Sequence, residues 1–125
     1  HATRQPLQPP ACLIAGGETT VTLQGDGLGG RNQEVALGAV RGMEAAHNLL
    51  LVTLATDGDD GPTDAAGAVV SGETLKRALA MGMKPEDFLE RNDSYHFFHA
   101  LGDLIRTGPT QTNVNDLAFL FAFAD

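Results

Sequence analysis

The chain has no tryptophan, one tyrosine and one cysteine among 125 residues. A lone thiol, Cys12, rules out an internal disulfide and therefore a disulfide-stapled scaffold. The fold must be held by core burial, for which this length and a 42% hydrophobic content suffice. Basic residues are also scarce: 8 Lys and Arg stand against 16 Asp and Glu, a formal net charge of −8. That balance argues against nonspecific binding to nucleic acid or to an anionic membrane. Any anion site must be local, made by backbone dipoles and one or two cations. No apolar run has the roughly 20 residues needed to cross a bilayer, and no secretory signal pattern opens the chain. These absences predict a globular protein of a reducing compartment, the cytoplasm.

Glycine, in contrast, is abundant, with 15 residues, and its placement organises the chain. Residues 1–10 carry three prolines and little periodicity, and read as a linker or a cut edge. Residues 11–125 read as one domain. Ala11 to Ala15 predicts a strand, Gly16-Gly17 a turn, and Thr19 to Leu23 a second strand. Apolar residues at helical spacing from Asn32 to His47 predict the first helix. The continuous apolar run Leu49 to Ala55 predicts a strand buried on both faces. Ala65 to Val70 fits a strand or a helical turn. Helices are predicted over Glu73 to Met81, from Pro85, and over Tyr95 to Leu101, the last capped by Asp93 or Ser94. Leu104 to Thr107 and Leu117 to Phe123 complete the strands. Strands alternating with helices predict a three-layer α/β/α sandwich with a mixed, mainly parallel sheet, its polar loops gathered on one edge.

Residues Gly25-Asp26-Gly27-Leu28-Gly29-Gly30-Arg31-Asn32 lie between a β-forming run and a helix. Such a junction leaves helix N–H groups unpartnered, and glycines let a ligand approach the backbone. Arg31 adds a planar, permanently charged fork. The segment therefore predicts a phosphate or carboxylate site. It also matches G-x-G-x-x-G, the dinucleotide fingerprint, with Asp57 as the acid at the end of the next strand. The alternative is a tight turn without a ligand.

Thr56 to Asp64 holds four carboxylates, Asp57, Asp59, Asp60 and Asp64. The spacing does not make an EF-hand loop. Asp59 and Asp60 read as solvated, whereas Asp57 directly follows a buried strand, where an active-site acid is well placed. Thr107 to Asp116 offers hydroxyls and amides that can bind oxygen-rich ligands, or a loop held by its own Asx turns. His96 and His99 lack a third ligand nearby for a metal.

As an ordered set, Gly16-Gly17-Glu18-Thr19-Thr20, Gly29-Gly30-Arg31-Asn32-Gln33-Glu34, Thr56-Asp57-Gly58, Asp60-Gly61-Pro62-Thr63-Asp64-Ala65-Ala66-Gly67, Asn92-Asp93-Ser94 and Thr112-Asn113-Val114-Asn115-Asp116 resemble the MOFRL domain. This is the C-terminal domain of class II glycerate 2-kinases, some of which bear the older label hydroxypyruvate reductase. The resemblance implies ATP- and Mg²⁺-dependent phosphorylation of D-glycerate in a cleft shared with a Rossmann-like N-terminal domain. A chain lacking that domain is expected to be inactive alone. It implies catalytic roles for Arg31 and Asp57, the latter as proton acceptor or as a holder of Mg²⁺ through water. Gly27, Gly29, Gly30, Asn32, Thr112 and Asn113 are the candidates for substrate and phosphate binding. Two other functions fit the residues: an NAD(P)H-dependent reductase, suggested by the fingerprint, and a non-enzymatic module that binds a small molecule.

Overall fold

The computed structural model describes residues 8–18 and 20–125. Most of the segment expected to be a linker, 1–7, and Thr19 of the expected second strand lie outside the described residues. The elements follow in the order β1 (Ala11–Gly17), α1 (Arg31–Ala39), β2 (Leu49–Ala55), β3 (Gly67–Ser71), α2 (Thr74–Ala80), α3 (Pro85–Glu90), α4 (Ser94–Leu101), β4 (Leu104–Ile105) and β5 (Asp116–Ala122). Local chemistry sets several bounds. Pro85 opens α3, where a missing N–H costs nothing. Gly102 closes α4 in the left-handed region at φ 75°.

The five strands form one sheet in the order β1-β5-β2-β3-β4, and every pairing is antiparallel. The expectation of a mainly parallel sheet is therefore wrong. β1 and β2 do run in the same direction, as a strand-helix-strand unit requires, but β5 inserts between them and pairs antiparallel with both. The ambiguous segment 65–70 turns back as β3 against β2 instead of forming a crossover. The three-layer arrangement is wrong too. Leu37 of α1 and Val40 at its C-cap, Leu75 of α2 and Phe97 and Phe98 of α4 meet in one buried cluster against Val70 of β3 and Leu51 of β2. All helices thus cover one face of the sheet, giving two layers, and the other face carries no helix among the described residues.

The Phe97 and Phe98 rings meet edge to face at 5.1 Å, and Phe88 of α3 meets Phe97 at 5.4 Å. This aromatic contact fixes the turn between α3 and α4 against the core. Because β1 and β2 end where β5 begins, with Gly17 and Ala55 both opposite Asp116, the segments after β1 and β2 and before β5 share one edge of the sheet.

Candidate functional site

Residues 20–30 cross that edge as a strap without regular strand structure. The β-formers Thr20 to Leu23 find no strand partner, because the strap is stitched instead to the α3–α4 turn. Asn92 holds a left-handed backbone at φ 54°, a conformation Asn tolerates. Its Oδ1 accepts from the amides of Gln24 and Gly25, and its Nδ2 donates to Thr22 O and Glu34 Oε1. The Gly27 amide donates to Arg91 O at 2.8 Å, Leu28 N donates to Asp93 Oδ1 at 3.0 Å, and Tyr95 N donates to Leu28 O at 2.9 Å. Asp93 does stand at the start of α4, but its carboxylate makes no cap bond to that helix and holds the strap instead.

The glycines follow from this fit. A Cβ on Gly25 or Gly27 would overlap the 91–93 backbone, on Gly29 the Ser94 hydroxyl, and on Gly30 Asp60. Their first role is close approach of the chain to itself.

The N-terminus of α1 is already occupied. Asp60, 1% exposed, accepts from the Asn32 amide (3.0 Å), Asn32 Nδ2 (3.0 Å) and the Gln33 amide (2.8 Å). A carboxylate from another loop thus caps the helix, satisfying free N–H groups and countering the dipole. This corrects the expectation that Asp60 faces solvent. Asn32 is itself 4% exposed, and its carbonyl accepts from Thr53 Oγ1 of β2 at 2.6 Å.

Arg31 stands at the mouth of the strap. Its Nε and Nη2 bind the two oxygens of Asp116, and this contact raises the guanidinium pKa further. The Asp116 side chain is buried, while that of Arg31 remains 38% exposed. Its Nη1 pairs with the Glu18 carboxylate at 3.6 Å. A cleft of about 540 Å³ opens beside it, lined by Gly27, Gly29, Gly30, Arg31, Glu34 and Asn92 among others. Burial raises the Glu34 pKa, although the bond from Asn92 acts against it.

Asp57 lies on the same edge, two residues beyond Ala55, in a pair of tied loops. Its carbonyl accepts from Thr110 N at 3.2 Å, and Thr56 N donates to Asn115 O at 3.1 Å. Gly58 is needed twice over: its φ is +94°, and a Cβ would overlap Gly108 O. The Asp57 Oδ1 accepts from the Asp59 amide at 3.0 Å. Asn113 Oδ1 accepts from the Asn115 amide at 3.0 Å, an Asx turn within its own loop.

The structure thus brings Arg31, Gly27, Gly29 and Gly30 together around the cleft. Asn32 lies beneath them, and Asp57, Thr112 and Asn113 sit on the adjoining loop pair. Sequence reasoning missed Asn92, Asp93 and Asp116 as organisers of the site. The available signal was Asn92-Asp93-Ser94, two hydrogen-bonding side chains before a helix, where one cap residue would have been enough. His96 pairs with Asp93 at 2.6 Å, and Arg106 contacts both His99 and Asp64. Among the described residues no group of three or more His, Cys, Asp or Glu could hold a metal.

Fold and site together define an antiparallel, two-layer α/β domain that builds a cleft at one sheet edge from loops. The chain belongs to the MOFRL family, whose profile matches residues 11–116. It is 53% identical to the D-glycerate 2-kinase of Thermotoga maritima over 113 residues, 90% of this chain and 27% of that protein. It is 47% identical to the glycerate 2-kinase of Pyrococcus horikoshii over 90% of this chain and 26% of that protein. The crystal structure of glycerate kinase from Thermotoga maritima superposes with a TM-score of 0.94 at 50% identity, over 96% of this chain and 29% of that one. The chain therefore spans under a third of the length of these relatives.

Proposed function

We propose that this chain is the C-terminal domain of a glycerate 2-kinase. The full protein would transfer the γ-phosphoryl group of ATP to the 2-hydroxyl of D-glycerate. The reaction would take place in a cleft whose other wall is a Rossmann-like N-terminal domain of the same polypeptide, working in the cytoplasm. The observation that carries this is the Arg31 fork, held from behind by Asp116 at the mouth of the glycine-lined cleft, in a chain so similar to glycerate kinases.

Phosphoryl transfer asks a protein mainly for positioning and charge stabilisation. Asp116 engages the Nε and Nη2 donors of the guanidinium and leaves Nη1 for phosphoryl oxygens, which would take the place of Glu18. Asp60 occupies the Asn32 and Gln33 amides, so the α1 terminus contributes little, and Arg31 must supply most of the charge on this wall. A single carboxylate, Asp57, suits Mg²⁺, which is usually held by one or two carboxylates with water and substrate phosphates. Bound there, the ion would neutralise the phosphate oxygens. Without that role, Asp57 would accept the proton of the 2-hydroxyl. Thr112 and Asn113, on the loop tied to Asp57, would face the glycerate.

The dinucleotide-reductase alternative is disfavoured by topology. Its fingerprint needs a strand running straight into the glycines and a parallel neighbour. Here β1 ends at Gly17, well before the glycines, and its one neighbour among the described residues, β5, is antiparallel.

The test is steady-state kinetics with ATP and D-glycerate in the full-length enzyme. Arg31→Lys keeps the charge and loses the fork; kcat is expected to fall by about 10²-fold with a smaller change in KM. For Asp57→Asn, a raised Mg²⁺ requirement marks the ion-holding role, and loss of the acidic limb of the kcat profile marks the base. Normal kinetics in both variants would remove the proposal.

A further inference from the structure

The face of the sheet opposite the helices has an unusual composition. In an antiparallel sheet covered on one side, the outer face normally alternates to polar residues. Here the outward positions are Cys12, Ile14 and Gly16 on β1, Leu117, Phe119 and Phe121 on β5, and Leu50, Val52 and Leu54 on β2. Val69 and Ser71 extend it on β3. None of these residues is charged, although the chain carries 24 formal charges from its 8 basic and 16 acidic residues. Ile14 is 65% exposed, and the rings of Phe119, Phe121 and Phe123 stack in a ladder at 6.1 Å spacings along β5.

An apolar patch this wide, with no charged residue at its centre, has the chemistry of a permanent interface, resembling the inside of a domain. Reversible association would call for polar and charged positions. The matching solved glycerate kinase carries 71% of its length outside this domain, from 29% covered. We infer that this face is covered in the full protein by an apolar layer from the remainder of the same polypeptide. That would complete a three-layer body in the assembled enzyme. The inference rests on the proposed function only in that both require the longer polypeptide. It also separates two surfaces: the loop edge serves the chemistry, and the bare sheet face serves attachment.

Cys12 is an exposed thiol on this face and can report on its cover. The experiment is iodoacetamide labelling of the full-length polypeptide, native and in urea, with the Cys12 peptide quantified by mass spectrometry. Cover by the same chain predicts labelling at least about 100-fold slower in the native protein, independent of protein concentration. A second arm uses Phe119→Asp, at the centre of the face. It should restore Cys12 labelling while far-ultraviolet circular dichroism keeps the helix signal.

Native labelling as fast as in urea would overturn the inference. Protection that disappears on dilution, together with a dimer in sedimentation velocity, would also overturn it, because a second copy would then be the cover. A kinase assay on the same samples keeps the outcomes apart. Activity with an exposed Cys12 sinks only this inference, and protection without activity sinks only the proposed function.

Discussion

Asp60 sits in the most acidic stretch of the chain and yet is nearly inaccessible, because its two carboxylate oxygens are the acceptors for the start of α1. Asp60→Asn would turn an NH₂ group toward N–H donors in a buried place. The expected cost is about 1–3 kcal/mol, read by urea denaturation. Asp59→Asn, at an exposed side chain, should stay within about 0.5 kcal/mol. Glu34 gives a pH-dependent case. Burial raises its folded pKa, so the native state binds the proton more tightly than the unfolded chain does. Stability from this group is full below the ordinary glutamate value and is lost as pH rises from there through the raised folded value. Glu34→Gln should therefore melt higher than the parent at pH 7, and the gap should close as the pH drops below roughly 4.3. A parent advantage at pH 7 would show that the bond from Asn92 outweighs burial.

At the scale of elements, the strap depends on one side chain more than on its own sequence. Asn92→Gly keeps the left-handed backbone available and removes all four side-chain bonds. Amide exchange at Gln24 and Gly25 should rise roughly 10- to 100-fold while amides of β2 keep their protection, since the change is a local opening. Equal loosening of β2 would mean that Asn92 supports the whole core. Gly29→Ala should disturb the same strap from the other side, because its methyl would meet Ser94. Residues 20–23 of the expected second strand form no strand for the same reason: the Thr22 carbonyl accepts from Asn92, 70 residues away. No window of local propensity contains that partner.

For the molecule as a whole, the proposed function makes these 125 residues one wall of a shared cleft, and among the described residues one sheet face carries no helix. The chain alone is expected to turn over far below the roughly 1–100 s⁻¹ of typical kinases, measured by coupled ADP release. Turnover in that range would show that the second wall is unnecessary.

The sequence by itself determined where most elements lie, although α1 ends at Ala39 rather than at His47 and residues 20–23 form no strand. Leu49–Ala55 is a strand as its apolar run predicts, though helices cover only one of its faces, and Pro85 opens a helix; the small apolar run 65–70 fits the strand it contains. The resemblance in the ordered motifs named the family, and the placement of Arg31 directly after the glycines, at the start of α1, is legible in the sequence. These features are local or lie in the order of motifs along the chain. Tertiary structure alone decided that β5 inserts between β1 and β2, that all pairings are antiparallel, that Asp60 is a buried cap, and that Asn92 clasps the strap. Strand pairing and burial are set by partners distant in sequence, and the hydrogen bonds that satisfy a backbone group do not depend on how far along the chain the acceptor lies.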